Sequence, residues 1–118
     1  MSIYVYITRK SDPFDDSGPE IKADEWLRCI EAEIDFRTPR PDETEWLGDY
    51  AKILSGTPEM AFDWVDGQIE VKNPSAATIA RMKQVAEKLC AEVFSETGEL
   101  YDAEGNHAGF LPGFPDMA

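Results

Sequence analysis

Glu59-Met60-Ala61-Phe62-Asp63-Trp64-Val65-Asp66-Gly67-Gln68-Ile69-Glu70-Val71-Lys72 decides the fold. Met60, Phe62 and Trp64 alternate with Ala61, Asp63 and Val65, the period-two pattern of a strand with one buried face. Asp66-Gly67 follows, and then a second alternating run. Asp-Gly between two such runs is a hairpin signal, because a tight primed turn needs positive φ at both central residues. An antiparallel sheet is therefore expected at the centre of the chain.

Working outward, Asn73-Pro74-Ser75 opens a helix, with either Asn73 or Ser75 as its cap. Ile79, Met82, Val85, Ala86, Leu89, Cys90 and Val93 make a long apolar stripe, which should cover the sheet, while Lys83, Glu87 and Lys88 point away. Upstream, Trp26, Leu27, Ile30 and Ile34 place a first helix over Ala23 to Ile34. The run from Ile3 to Arg9 is apolar on both faces and reads as an inner strand. Residues 91–95 read as a strand, Glu96-Thr97-Gly98-Glu99 as a turn, and Leu100-Tyr101 as a return. Residues 42–58 leave short strand and bent turn open. Residues 102–118 read as an irregular tail packed on the body, as Phe14 would be in the loop from Lys10 to Pro19. The expected fold is a single α+β domain over 1–118, a two-layer sandwich of a small, mostly antiparallel sheet with two helices on one face. For 118 residues the scaling laws bury about two thirds of the unfolded surface, enough for one core without staples.

The composition is strongly acidic, with 24 Asp and Glu against 11 Lys and Arg, for a net charge of −13. Such a field disfavours nucleic acid and anionic lipid and favours basic proteins. Residues 11–50 hold 13 of the acids against four basic residues, whereas 72–90 carry Lys72, Arg81, Lys83 and Lys88 against Glu87 alone. No leader pattern or membrane-length apolar run is visible, so a cytoplasmic protein is expected, with Cys29 and Cys90 as reduced, buried small hydrophobes.

Signals for catalysis are sparse. His107 is the one histidine, and it has no local nucleophile partner. Phosphate-binding, zinc-protease and nucleophile-elbow motifs are missing from the sequence. Asp102-Ala103-Glu104-Gly105-Asn106 begins like a calcium loop, but His107 stands where glycine is required, so it reads as a polar turn. Asp63, opposite the rings of Phe62 and Trp64 on its strand, reads as exposed. A non-enzyme without cofactor is expected. Trp46, between Glu45 and Asp49, reads either as a core side chain under a loop or as a hot spot for a basic partner. The candidate partner-binding residues are Asp42, Glu43, Glu45, Trp46 and Asp49, with Asp63, Asp66 and Glu70 on the hairpin.

The stretch Asp66-Gly67-Gln68-Ile69-Glu70-Val71-Lys72-Asn73-Pro74-Ser75 carries a resemblance, together with Thr78-Ile79, Met82, Ala86-Glu87-Lys88-Leu89, Ala91, Val93 and Gly98-Glu99-Leu100-Tyr101. It resembles a class of small acidic bacterial proteins similar to immunity proteins, cytosolic antidotes to toxins delivered between competing bacteria. The resemblance implies an inhibitor that occludes the active site of a cognate toxin with a basic surface, such as a nuclease or a nucleotide-directed enzyme. It implies no particular binding residues. A regulatory or adaptor protein, homodimeric through an exposed sheet edge, is the alternative, and a small hydrolase comes last.

Overall fold

The hairpin forms as its sequence dictates. In the computed structural model β4 (Met60–Val65) pairs antiparallel with β5 (Gln68–Lys72), Val65 opposite Gln68 and Asp63 opposite Glu70. Asp66 and Gly67 take φ of 50° and 82°, the left-handed pair that a primed two-residue turn requires. The structure describes residues 3–10, 18–56 and 59–111, apart from the side chain of Trp46. Phe14 and residues 112–118 of the expected tail lie outside them.

Around the hairpin grows an eight-stranded antiparallel sheet in the order β2-β3-β4-β5-β1-β6-β7-β8. The remaining strands are β1 (Tyr4–Thr8), β2 (Phe36–Arg37), β3 (Lys52–Leu54), β6 (Glu92–Ser95), β7 (Glu99–Tyr101) and β8 (His107–Phe110). As its two apolar faces imply, β1 is an inner strand between β5 and β6. The sheet is larger than expected, because the short strands β2 and β3 and part of the tail join it. Residues 107–110 were expected to be irregular, yet they pair with β7 across a turn that Asp102 organises. Its carboxylate accepts the backbone N–H of Glu104 and of Asn106. Side-chain-to-backbone bonding of this kind is hard to read from composition, since the same residues make open loops.

Both helices, α1 (Ala23–Glu31) and α2 (Ala76–Lys88), contribute to one apolar cluster on one face of the sheet. Trp26 and Ile30 of α1 and Ile79, Met82, Val85 and Ala86 of α2 pack on Val5, Ile7, Phe62, Ile69, Val71 and Val93. The Trp26 and Phe62 rings stack with centroids 6.4 Å apart, and Phe36 meets both edge-on. The indole N–H groups of buried Trp26 and half-buried Trp64 each find a carbonyl, Trp26 that of Tyr50 and Trp64 that of Ile21, both at 2.8 Å. These bonds satisfy the polar end of each ring and fasten two loops to the core. The cap of α2 is Ser75, whose hydroxyl accepts the Thr78 N–H; Asn73 instead takes φ of 50° and accepts the Ile3 N–H through its side chain.

Three expectations are corrected. Helix α1 ends at Glu31, so Ile34 leaves the apolar stripe and stands fully exposed (102 %). The reason is electrostatic: Arg81 of α2 holds Asp35 with two 2.8 Å hydrogen bonds and also pairs with Glu33, pulling the chain out of helical register. Cys90 is exposed at φ of 52°, in the left-handed position that ends α2, and Cys29 is only half-buried.

Candidate interaction surface

Strand alternation puts Tyr4, Tyr6, Ala61, Asp63, Glu70 and Lys72 on the sheet face away from the helices. Tyr4, Leu47, Ala61, Asp63, Glu70 and Lys72 line a groove there of about 290 Å³. At its floor the carboxyls of Asp63 and Glu70 stand on directly opposed residues of β4 and β5. Like charges in that position repel. Burial pushes the Asp63 carboxyl above the usual aspartate range, against the pull of the Gly48 N–H, which donates to it at 3.1 Å. Burial, then the charges of Asp63 and Asp66, push Glu70 up as well. The Tyr6 phenol beside them is driven up to about 12 by burial and by Glu70 and Glu96. Among the described residues no basic side chain forms an ion pair with Asp63 or Glu70. Asp63 was expected to be exposed; it is half-buried because the segment around Gly48 closes over it.

The expected residues thus divide. Asp63 and Glu70 come together in the groove, and Asp66 sits exposed on the adjoining turn, close enough to raise Glu70. Glu43 does not belong with them. It grips Arg37 with two hydrogen bonds of 2.8 and 2.9 Å, accepts the Arg40 N–H, and is held down to about 2 by those contacts. Arg37 also binds Glu59, so this network ties the 40s segment to β2 and the start of β4. Asp42 lies 3.8 Å from Arg40, and Glu45 and Asp49 are exposed. Trp46 ends a 3₁₀ turn over Thr44–Trp46; its side chain lies outside the described residues.

Other acids of the N-terminal half are also engaged. Glu25 receives two hydrogen bonds from Arg9 and one from the Lys22 N–H, which bring it down to about 2. Glu33 pairs with Lys88 and Arg81. The sequence reading missed Arg9, Arg37 and Arg81. Each lies on a different element from its acids, and no spacing rule links them. His107 packs on Phe110 with its Nδ1 3.8 Å from Glu99, on the β7–β8 ladder. Among the described residues no group of three or more His, Cys, Asp or Glu is placed to hold a metal, and no helix is long and apolar enough to cross a membrane. Neither a family model, nor a curated protein, nor a solved structure matches the chain.

Proposed function

We propose that the chain is an inhibitor of the immunity type, which binds a basic toxin domain and takes one of its Lys or Arg side chains into the groove at Asp63 and Glu70. The carrying observation is that opposed carboxylate pair, half-buried and without a cationic partner among the described residues. Opposed like charges cost stability in the free protein. A guest cation would remove the repulsion, and both carboxylates could accept its N–H donors in charge-assisted hydrogen bonds. The exposed acids Asp66, Glu45 and Asp49 and the net charge of −13 would speed the encounter.

The test begins with the product of a toxin gene beside this one, mixed with the purified chain. Binding should be tight, should weaken steeply with salt, and should abolish the toxin's activity. Asp63→Lys with Glu70→Lys should remove protection while the chain stays folded by circular dichroism. Protection that survives this reversal would exclude the groove as the contact. Absence of binding to any neighbouring toxin would exclude the inhibitor reading itself.

A further inference from the structure

The acid pair belongs to a longer cross-strand row. Asp63 on β4 stands opposite Glu70 on β5, and Glu70 opposite Tyr6 on β1, so two carboxyls and a phenol share the row without a basic residue. Tyr6 is 6 % exposed and its phenol feels the charge of Glu70, yet its hydroxyl has no hydrogen-bond partner among the described residues. In the next row Lys72 stands opposite Tyr4, and both line the groove with Ala61 and Leu47. Lys72 is exposed and has no ion pair among the described residues. The charges that act on Glu70 are those of Asp63 and Asp66, so the Lys72 ammonium is not folded back over the acid pair.

The groove is therefore bipolar, with acids in one row, a cation in the next, and Ala61 and Leu47 as apolar lining. Alternate residues of a strand stand about 7 Å apart, and an extended lysine spans about 7 Å from its ammonium to its own carboxylate. We propose that the groove takes the carboxy-terminal lysine of a polypeptide, its ammonium between Asp63 and Glu70 and its terminal carboxylate at Lys72. This deepens, and rests on, the reading that the acid pair receives a cation; it does not depend on which protein supplies the lysine. The groove volume of about 290 Å³ suits one residue and not a folded segment. An ammonium directs its three N–H donors apart, which suits oxygen acceptors carried by β4, β5 and β1, whereas a planar guanidinium suits a single carboxylate. An internal lysine lacks the carboxylate. Free lysine adds an α-ammonium beside Lys72, which repels it.

Titration of the isotope-labelled full chain with Nα-acetyl-lysine, its amide and free lysine, followed by backbone amide chemical shifts, tests the assignment without a toxin. Acetyl-lysine should bind in the millimolar range, with the shifts concentrated on β4 and β5. The amide and free lysine should bind about fivefold to tenfold more weakly, the equivalent of losing one charge-assisted contact. Lys72→Met, which keeps the stem of an exposed side chain, should bring the acid and the amide to the same affinity. Asp63→Asn with Glu70→Gln should remove binding of all three. An amide or free lysine that binds as well as acetyl-lysine, or a preference for the acid that survives Lys72→Met, would overturn the assignment. So would a chain that binds none of the three; if its protection against a toxin still depends on Asp63 and Glu70, the inhibitor reading stands and only the chain-end lysine falls. Acetyl-lysine bound by a chain that captures no toxin would support the site and remove the inhibitor reading.

Discussion

Glu70 shows how one residue can cost stability where it stands. Burial and its acidic neighbours raise its carboxyl pKa in the folded state. The folded chain therefore holds that proton more tightly than the unfolded chain, and this contribution to stability is lost as pH rises through the folded value. At neutral pH Glu70→Gln should stabilise the protein by about 0.5 kcal/mol, a modest figure because the site is half open to solvent. Thermal melts should show the gain at pH 7 and none where Glu70 is already protonated. Glu43 works in the opposite sense. Arg37 and the Arg40 N–H hold it down to about 2, so its contribution is present above the usual glutamate range and lost as pH falls toward 2. Glu43→Gln should lower the melting temperature at pH 7 and have little effect near pH 2. Both residues were named from the sequence for one shared reason, their charge. Only the contacts separate a carboxylate locked to arginine from one left facing another acid.

At the scale of elements, the parts legible in advance were those with a short-range physical cause. Asp66-Gly67 specifies its own turn, the alternation of Met60, Phe62 and Trp64 specifies its own face, and the α2 stripe needs only period 3.6. What escaped were elements defined by distant partners. Helix α1 stops before Ile34 because Arg81, on the other helix, claims Asp35 and Glu33. Strand β8 exists because Gly105 lets its turn approach α2. At φ of 85°, a Cβ on Gly105 would collide with the backbone carbonyl of Ala76. Gly105→Ala should therefore cost about 2 kcal/mol or more, combining left-handed strain with a backbone clash, and chemical denaturation would measure it. Ser75→Ala, which removes the α2 cap, should cost about 1 kcal/mol by the same assay, without disturbing β8.

For the whole molecule, acidity is distributed by use and not as a uniform coat. Four acids of the N-terminal half, Glu25, Glu33, Asp35 and Glu43, are spent internally on Arg9, Arg37 and Arg81, which fasten loops and helix ends to the sheet. On the face away from the helices, Asp63 and Glu70 stand without an ion pair among the described residues. The placement of β1 has a consequence in time. Tyr4 waits for Lys72, and Val5 for Ser95, before either edge of the strand is paired. At synthesis rates of about 5–20 residues per second, Ile3 to Ile7 spends several seconds outside the ribosome with both backbone edges bare. That segment is apolar, uncharged and rich in β-branched and aromatic residues, the composition that stacks into intermolecular sheets. Nascent chains arrested before Val93 should accordingly sediment as aggregates, and chains arrested with β6 fully outside the exit tunnel should not. The first strand made is among the last to be protected.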